Sequence, residues 1–392
     1  MKILSVNCGS SSLKFQMYEM PEEKVLISGV FERIGIGESF YTIKFNGEKT
    51  KVEVVLDNHK TAFEILIKEL LERKVVDNLD EIKGIGHRVV QGGTYFDKTV
   101  VVDDDTLAKI EELCVLAPLH NPAAIIGINA AKEVVPDAVQ TVVFDAAFHQ
   151  TMKEENYLYA LPYDWCEKYR IRRYGAHGTS HKYITMRISE MLGRDDLKLI
   201  TCHIGNGASI SAVKDGKCVN TSMGLTPNAG LIMGSRCGDI DATILTYLMD
   251  KEDISAKEMD RILNKESGLL GISGVSSDSR DIEDGINAGN KRCELAQTMY
   301  VKRIVDYIAK YYVELGGCDA IIFTAGVGEN SKNTRMQIME RLAVLGVKPD
   351  SEANNVRGEE RLITTSDSAI PCYIIPTDEE VMIARDTYEL AQ

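Results

Sequence analysis

Three glycine-containing polar turns hold the residue types that could bind an anion. They lie at residues 7–14 (NCGSSSLK), 203–209 (HIGNGAS) and 324–331 (TAGVGENS), and each directly follows a short apolar run. Main-chain N–H groups, hydroxyls and a lysine such as Lys14 can surround a phosphate group in a turn of this kind. A polar turn without a ligand is the alternative for any one segment taken alone.

The apolar runs in front of these turns predict buried strands. Residues 3–6 and 197–202 are each followed by a polar turn and a return strand, and both segments therefore predict hairpins. The third turn follows a strand predicted at 320–323 and precedes a helix predicted from about Asn333. A strand, a glycine-rich turn and a helix N-terminus in succession are typical of a phosphate or nucleotide site.

The rest of the chain alternates further predicted strands and helices. Strand-like segments are predicted at 24–31, 41–55, 84–90 and 141–144, and helices at 61–73, 107–116, 123–135, 291–315 and from about residue 378 onward. The turn glycines Gly9 and Gly205 lie 196 residues apart, which is half of the 392-residue chain. This spacing predicts an internal duplication, with two similar domains facing one cleft.

Charge and composition exclude several classes of function. Asp and Glu number 59 against 45 Lys and Arg, a net charge of −14, so no extended surface for nucleic acid or anionic membrane is expected. No apolar run reaches transmembrane length, and the start of the chain does not resemble a signal peptide. The nine cysteines include no Cys-x-x-Cys pair, so reduced thiols in a cytoplasmic protein are expected and a zinc site is not.

Two common nucleotide-binding motifs are absent from the sequence. It contains neither the Gly-x-x-x-x-Gly-Lys-Ser/Thr motif of P-loop proteins nor a Gly-x-Gly-x-x-Gly that opens a helix after a strand. Two hairpin turns and one strand-to-helix turn instead match the phosphate and adenosine sites of the duplicated, actin-like ATPase architecture.

Ten segments together make the chain resemble the acetate kinase family over essentially its full length. They occur in the family's order and are NCGSSSLK (7–14), GHRVVQGG (86–93), PLHNP (118–122), FDAAFHQTM (144–152), RRYGAHGTSH (172–181), HIGNGAS (203–209), MGLTP (223–227), MGSRCGDID (233–241), FTAGVGENS (323–331) and PTDEEVMIA (376–384). Chance does not produce so many motifs in one order.

The resemblance implies an α/β fold of two duplicated ribonuclease H-like (actin-like ATPase) domains. Each domain would contain a mixed five-stranded sheet flanked by helices, with a cleft between the two domains. Residues 1–148 would form the N-terminal domain, with a C-terminal helix at about 380–392 packing back on it. Residues 149–379 would form the nucleotide-binding C-terminal domain.

The family transfers the γ-phosphoryl group of ATP reversibly to a short carboxylate, which gives an acyl phosphate and ADP. Catalysis of such a transfer rests on positioning and on cationic stabilisation of the equatorial oxygens. By resemblance, Arg88 and Arg236 hold the substrate carboxylate and the phosphoryl group, His177 donates to the phosphoryl group, and His120 lies nearby. Asp145 is interpreted as a residue that orients Arg88 or the substrate, because a carboxylate nucleophile is already ionised and needs no general base.

The resemblance also implies a metal ion and a nucleotide. Asn7 and Glu379 would approach Mg²⁺, with Mn²⁺ as an alternative ion, and Glu379 could also serve as an acidic residue at a helix N-terminus. Lys14 would bind the phosphates of ATP or ADP. The other residues assigned to the nucleotide are Ser10, Ser12, His203, Ile204, Gly205, Asn206, Gly207, Asp278, Ser279, Arg280, Gly326, Val327, Gly328, Glu329 and Asn330.

The acyl pocket is where the sequence departs from the family. By resemblance its apolar wall is formed by Val90, Leu119, Pro227 and Ala176. Ala176 stands where the family typically has Phe, so the site could accept propionate or butyrate, each buried CH₂ contributing about 0.8 kcal/mol, unless neighbouring side chains fill the space. Ser279 also replaces a typical Phe and could loosen adenine stacking.

Acetate and ATP are the expected substrates, and three alternatives stay open. The first is a kinase that prefers propionate or butyrate. The second is a sugar kinase or a chaperone-type ATPase of the same fold, which the two arginines argue against because they favour an anionic acceptor. The third is a non-enzymatic nucleotide-binding or scaffold protein. A homodimer is expected from the resemblance, without nucleic acid or membrane as a partner.

Overall fold

The computed structural model describes residues 1–118 and 120–392, and these form two compact units. Unit 1 consists of Met1–Gln150 and Asp378–Gln392, and unit 2 consists of Thr151–Thr377. Leu119, one of the predicted acyl-pocket residues, lies outside the described residues.

The described strands and helices are numbered here in chain order. The strands are β1 (Lys2–Gly9), β2 (Ser12–Glu19), β3 (Lys24–Glu32), β4 (Phe40–Phe45), β5 (Glu48–Glu53), β6 (Ile82–Val89), β7 (Val100–Val101), β8 (Val139–Phe144), β9 (Lys198–Ile204), β10 (Ala208–Lys214), β11 (Lys217–Thr221), β12 (Ala320–Thr324), β13 (Arg361–Leu362) and β14 (Cys372–Ile374). The helices are α1 (His59–Glu72), α2 (Asp104–Glu112), α3 (Asn121–Val134), α4 (Glu154–Tyr157), α5 (Tyr163–Tyr169), α6 (Gly178–Leu192), α7 (Thr243–Glu252), α8 (Ala256–Lys265), α9 (Gly268–Ser273), α10 (Ser279–Asn287), α11 (Lys291–Leu315), α12 (Ala325–Asn330), α13 (Lys332–Arg341) and α14 (Glu379–Leu390).

Unit 1 is built on a mixed sheet of eight strands in the order β5-β4-β3-β2-β1-β6-β8-β7. The strands β1 to β5 pair antiparallel in succession, whereas β1, β6 and β8 run parallel. The single strand predicted at 41–55 is wrong, since β4 and β5 are separate strands. Asn46 and Gly47 both have positive φ, 51° and 82°, and such a pair closes a tight hairpin.

Unit 2 repeats the central part of this sheet. Its six strands follow the order β11-β10-β9-β12-β14-β13, with β9, β10 and β11 antiparallel in succession and β9, β12 and β14 parallel. The order β3-β2-β1-β6-β8 in unit 1 therefore matches β11-β10-β9-β12-β14 in unit 2. This confirms the predicted duplicated α/β architecture with mixed sheets and flanking helices. The predicted count of five strands per sheet is wrong, because each sheet adds edge strands to the shared five.

The C-terminal helix α14 packs against β1, β6 and β8 of unit 1. Contact with β6 is close enough to require glycine, since a Cβ atom on Gly86 would lie 2.2 Å from Oγ1 of Thr387 and 2.5 Å from Cγ2 of Ile383. Thr387 also lies 2.7 Å from Oγ1 of Thr141 on β8. These contacts place Glu379, the first residue of α14, beside the ends of the unit 1 strands.

The third glycine-rich segment differs from its prediction. The sequence predicted a turn at 324–331 and a helix from about Asn333, but helix α12 begins at Ala325, directly after β12, and α13 follows at Lys332. Glu329 stabilises this early start, because its Oε1 accepts hydrogen bonds from the main-chain N–H of Ala325 at 2.7 Å and of Thr377 at 3.1 Å. The long helix α11 spans the predicted residues and ends at Gly316, whose φ is 64°.

In each unit, the buried apolar core includes side chains of the sheet strands. Ala176 is one of the buried residues of the unit 2 core, together with β9, β10, β12 and α11 side chains. Within the described part of the chain, no helix is both long enough and apolar enough to cross a membrane.

Candidate functional site

Unit 1 contains a pocket of about 350 Å³ at the end of β1 and β6. It brings together six of the predicted site residues, which are Asn7, Ser12, Lys14, Arg88, Val90 and His120. Cys8, Gly9, Val30 and Glu32 also line it and were not predicted. The hairpin turn is tight here, since a Cβ atom on Gly9 would lie 2.8 Å from the hydroxyl of Ser12. Polar groups and the apolar side chains of Val30 and Val90 therefore share a single small pocket.

Arg88 and Asp145 form a two-point ion pair in this unit. Nε of Arg88 donates to Oδ1 of Asp145 at 3.0 Å and Nη2 donates to Oδ2 at 2.5 Å. Asp145 follows β8 and is 1 % exposed, whereas Arg88 is 20 % exposed. Burial lowers the pKa of Arg88, but the charges of Asp145 and Glu379 outweigh burial and raise the pKa above its ordinary value. The carboxylate thus fixes the plane of a permanently charged guanidinium.

Two oxygen-bearing side chains flank the guanidinium of Arg88. Oδ1 of Asn7 accepts a hydrogen bond from Nη1 at 3.5 Å, and Oε2 of Glu379 lies 4.0 Å from Nε. Burial raises the pKa of Glu379 to about 7, against the lowering effect of Arg88. An amide oxygen and a carboxylate are hard donors of the kind that Mg²⁺ accepts, and Mg²⁺ binds few protein ligands. The donor set at Asn7 and Glu379 therefore fits this ion.

Lys14 and Ser10 occupy more exposed positions on the same hairpin. Lys14 forms an ion pair with Glu380, the second residue of α14, and its side chain is 56 % exposed. Ser10 lies in the exposed turn between β1 and β2 and does not line the pocket. Asp378 forms the N-cap of α14 by accepting a hydrogen bond from the N–H of Val381 at 2.9 Å. The acidic start predicted for this helix is confirmed.

Unit 2 contains a larger pocket of about 660 Å³. Its lining includes eight of the predicted nucleotide residues, which are Gly205, Asn206, Asp278, Ser279, Arg280, Gly326, Val327 and Asn330. Gly234, Leu269, Ser277, Glu283, Tyr300, Ser331 and Arg357 complete it. Two of the three glycine-rich segments thus meet in one pocket, with the N-terminus of α10 at its wall.

The remaining predicted nucleotide residues of unit 2 lie behind this lining. Ile204 is fully buried in the core, and Gly328 is buried in α12. Glu329 holds the start of α12 through the two main-chain hydrogen bonds described above. His203 is 9 % exposed and stacks on His177 at a ring distance of 4.0 Å. These residues therefore support the wall of the pocket from behind.

Asp278 and Arg280 form a local clamp at the start of α10. Asp278 caps the helix by accepting from the N–H of Arg280 at 2.9 Å, and its Oδ2 accepts from Nη2 of Arg280 at 2.6 Å. The side-chain hydrogen bond from Arg280 lowers the pKa of Asp278 to about 2. The carboxylate therefore stays charged at the rim of the pocket.

Arg236 and His177 converge on Gly207. A Cβ atom on this glycine would lie 3.4 Å from Nη1 of Arg236 and 3.6 Å from both Cε1 and Nε2 of His177. Gly207 belongs to the turn between β9 and β10, whose neighbour Asn206 lines the pocket. A guanidinium and an imidazole thus face the same glycine turn, an arrangement that can stabilise an anionic group.

The guanidinium of Arg236 is held by neutral groups. Its Nη1 donates to the carbonyl of Pro227 at 3.2 Å and lies 3.8 Å from the sulfur of Met233. Among the described residues it makes no salt bridge, and burial lowers its pKa. A half-buried cation without a carboxylate partner is suited to an anionic ligand.

Comparison with known proteins shows the family of this chain. The model of the acetokinase family matches residues 2–385. The chain belongs to the acetokinase family. It is 54 % identical over 393 residues to an acetate kinase of Bacillus velezensis, with both chains covered completely. Members of this family are phosphotransferases that use a carboxyl group as acceptor.

Solved structures of acetokinases have the same fold as this family member. The crystal structure of Porphyromonas gingivalis acetate kinase matches with a TM-score of 0.95 and 45 % identity, covering all of both chains. A propionate kinase from Francisella tularensis matches with a TM-score of 0.94 and 41 % identity over 99 % of each chain. The predicted family and fold are therefore confirmed, and the alternatives with another acceptor class are not supported.

The predicted acyl-pocket residues of this acetokinase lie in different surroundings. Val90 lines the unit 1 pocket. The carbonyl of Pro227 binds Arg236 in unit 2. Ala176 is 4 % exposed, belongs to the unit 2 core and lines neither of the two pockets described above. The side chain of Ala176 is therefore packed in the core of unit 2.

Several supporting residues of the acetokinase site were missed at the sequence level. Ser209 and His181 form hydrogen bonds behind His177, and Arg335 binds the carbonyl of Gly328 from a position of 0 % exposure. His177 and His181 are four residues apart at the start of a helix, a spacing that puts them on one face and could have indicated the pair. Arg335 carried no such signal, because its partners are distant main-chain carbonyls.

Proposed function

We propose that this acetokinase transfers the γ-phosphoryl group of ATP reversibly to acetate, giving acetyl phosphate and ADP. The observation that carries the proposal is the convergence of Arg236 and His177 on Gly207 in the turn beside the unit 2 pocket. A fixed cation and an imidazole at a glycine turn stabilise the charge that develops on a transferred phosphoryl group. The relatives from Bacillus velezensis and Porphyromonas gingivalis, which this chain matches over its whole length, are acetate kinases.

The proposed chemical step is a direct in-line transfer. A carboxylate oxygen of acetate forms a bond to the γ-phosphorus, the bond from phosphorus to the β,γ-bridging oxygen breaks, and ADP leaves with that electron pair. Acetate is already ionised at neutral pH and needs no general base. The two hydrogen bonds between Arg88 and Asp145 support an orienting role for Asp145, with Arg88 binding the acetate carboxylate through its remaining N–H groups.

Mg²⁺ is part of this proposal. Asn7 and Glu379 would supply its protein oxygens in unit 1, and the ion would neutralise phosphate charge when bound. Lys14 and Ser12 would contribute further polar contacts to the phosphates from the same hairpin. The nucleotide itself would lie in the 660 Å³ pocket of unit 2, with Asp278 and Arg280 at its nucleoside end.

A homodimer is also proposed, through helix α7. This helix has no buried residue, and Ile244, Tyr247 and Leu248 are 43 %, 62 % and 36 % exposed. Their spacing of three and four residues forms one apolar stripe, which favours a protein partner. Light scattering after size-exclusion chromatography should give twice the chain mass of 43.5 kDa for the wild type. The Tyr247→Glu variant should give the mass of one chain. If this variant remains a dimer, helix α7 is not the interface.

A reducing, cytoplasmic environment completes the proposal. All nine cysteines are free in the structure, and burial raises the pKa of the Cys8 thiol to about 12, which keeps it protonated.

The decisive experiment measures acyl phosphate directly. Purified protein is incubated with Mg-ATP and acetate, propionate or butyrate, and the product is trapped with hydroxylamine. We expect acetyl hydroxamate to form with the highest kcat/KM for acetate, and no product without a carboxylate. Arg236→Gln and Lys310→Gln are compared, since Lys310 is an exposed cation of the unit 2 helix α11 outside the described pocket. Absence of acyl phosphate from all three acids would overturn the proposal.

A further inference from the structure

The lining of the unit 2 pocket includes a tyrosine whose hydroxyl has no partner in the protein. Tyr300 belongs to helix α11, is 1 % exposed and lines the pocket of about 660 Å³. Among the described residues, no group forms a hydrogen bond with this buried hydroxyl. Burial raises the pKa of Tyr300, so the hydroxyl keeps its proton and is available as a donor. Because an unpaired buried hydroxyl is unfavourable, a ligand group that pairs with it gains affinity.

The surroundings of Tyr300 favour the base of a nucleotide over its phosphates. Leu269 and Val327 are apolar residues of the same lining, and Leu269 and Tyr300 both belong to the buried core of unit 2. Apolar surfaces accept the faces of a planar base, which needs hydrogen-bond partners only at its edge. A phosphate group instead requires cations or several main-chain N–H groups, and the cation of Arg236 lies at the Gly207 turn.

We propose that Tyr300 is a nucleotide-binding residue whose hydroxyl donates a hydrogen bond to a ring nitrogen of the purine base. This inference rests on the proposed binding of ATP in the unit 2 pocket. The hydroxyl that has no partner in the protein is then paired in the complex. A base without an acceptor at that position leaves the hydroxyl unpaired and binds more weakly. Tyr300 thus contributes to nucleotide affinity and selectivity, whereas its hydroxyl adds nothing to the stability of the free protein.

Helix α11 offers a matched control for this hydroxyl. Tyr311 lies about three turns further along the helix, is 0 % exposed and also has a buried hydroxyl without a partner among the described residues. It differs from Tyr300 in lining neither the unit 1 pocket nor the unit 2 pocket. The substitution of Tyr by Phe at each position therefore removes the same group, once inside the pocket and once outside it.

The first test measures ATP binding and stability separately. Titration calorimetry of the full-length protein with Mg-ATP, without acetate, should show that Tyr300→Phe weakens binding by about tenfold and that Tyr311→Phe leaves it unchanged. In thermal unfolding without nucleotide, neither variant should melt below the wild type, since each loses only an unpaired hydroxyl. Equal ATP affinities of wild type and Tyr300→Phe would overturn the inference. A melting temperature of Tyr300→Phe below that of Tyr311→Phe would show a structural role instead.

The second test identifies the atom that accepts from Tyr300. It uses ATP analogues in which N1, N3 or N7 of the base is replaced by C–H, and a further analogue that lacks the 2′-hydroxyl of the ribose. We expect one of the three base analogues to bind the wild type about tenfold more weakly than ATP does, and to bind Tyr300→Phe as well as it binds the wild type. The hydrogen bond is then already absent, so its loss cannot be measured twice.

The remaining outcomes separate this inference from the proposed function. If the ribose analogue alone shows equal binding to wild type and Tyr300→Phe, the hydroxyl binds the sugar and the proposed contact with the base is wrong. If the wild type binds no ATP and forms no acetyl phosphate, the proposed function fails together with the inference. If it binds ATP and forms acetyl phosphate, but Tyr300→Phe binds every nucleotide as the wild type does, only the inference about Tyr300 fails.

Discussion

Arg88 and Asp145 are joined by two parallel hydrogen bonds of 3.0 and 2.5 Å, and the carboxylate is almost completely buried. An aspartate whose two oxygens both accept from one guanidinium is poorly placed to take a proton from a substrate. An aspartate at this position could orient Arg88 or act as a general base. Substitution of Asp145 distinguishes the two roles, because an orienting residue and a general base respond differently to it.

Asp145→Asn tests the orienting role. The amide keeps the shape but removes the charge, so Arg88 loses its fixed plane, and we expect kcat/KM for acetate to fall by about 100-fold. The shape of the pH profile should not change between pH 6 and 8, because no general base has been removed. The control is Glu360→Gln, which breaks a similar two-point pair with Arg187 on the surface of unit 2 and should leave activity unchanged. A new steep pH dependence in Asp145→Asn would instead indicate base catalysis.

Arg236→Gln tests the unpaired cation at the Gly207 turn. Loss of this charge should lower kcat by about 100- to 1,000-fold, since the donor is aimed at charge that develops in the transition state. The melting temperature should not fall, because a half-buried cation held only by neutral groups has been removed. Thermal unfolding with and without Mg-ATP is the measurement, and ATP should raise the midpoint of the wild type more than that of the variant. A variant that keeps full activity would remove Arg236 from the site.

Ala176 allows a prediction about acyl specificity. Because its side chain is packed in the unit 2 core, we expect kcat/KM to decrease from acetate to propionate to butyrate. Ala176→Phe should overpack this core and destabilise the protein by about 1–3 kcal/mol, without a gain in selectivity for acetate. Denaturant unfolding and rates on the three acids measure both effects. Flat values toward butyrate, with acetate preference created by Ala176→Phe, would show that the alanine opens the acyl pocket.

Local patterns in the sequence predicted the elements whose signals lie within a few residues. The apolar spacing and Gly316 predicted α11 to the residue, and the matching turns at Gly9 and Gly205 predicted the duplicated sheets. The split between β4 and β5 has a local signal as well, the turn-forming pair Asn46-Gly47. The early start of α12 could not be predicted, because it depends on hydrogen bonds that Glu329 accepts from residues as distant as Thr377.

The same distinction holds within the candidate site. Motifs identified Arg88, Asp145, His177 and Arg236, and the structure places each beside polar partners. The residues that contact these four side chains from the protein interior could not be predicted. Ser209 on β10 forms hydrogen bonds with His177 and His181 at the start of α6, and these groups are brought together only by the tertiary packing of unit 2.

His87 gives a prediction for the pH dependence of stability. It is buried on β6, with Nε2 bound to Oε1 of Gln140 at 2.8 Å, and burial lowers its pKa to about 4. Since the ordinary value is about 6.5, the unfolded chain binds this proton at a higher pH than the folded chain does. The contribution of neutral His87 is therefore fully present above pH 6.5 and is lost as the pH falls toward 4, by at most about 3 kcal/mol. His87→Gln keeps an N–H donor for Gln140 and should reduce the acid-side loss of unfolding free energy in urea titrations. Equal losses in both proteins would show that His87 is not responsible.

Arg335 supports the proposed nucleotide pocket from inside unit 2. Its guanidinium donates to the carbonyls of Gly328, Asn354 and Val356 at 2.8–3.0 Å and to Oδ1 of Asn354 at 2.8 Å, and burial lowers its pKa to about 10. These bonds connect α12 to the segment that precedes Arg357, a residue of the pocket lining.

Arg335→Lys should therefore disturb nucleotide binding more than acetate binding. An ammonium group cannot reach all four acceptors, so buried carbonyls lose their partners, and we expect a loss of about 3 kcal/mol in unfolding free energy. KM for ATP should rise by about tenfold, whereas KM for acetate should change by less than about twofold, because the displaced segment reaches the 660 Å³ pocket of unit 2 at Arg357 and is not part of the lining of the unit 1 pocket. Arg341→Lys is the matched control, as it makes the same substitution at an exposed position of helix α13. A rise of both KM values together in Arg335→Lys would show general loosening of the protein rather than support of the nucleotide pocket.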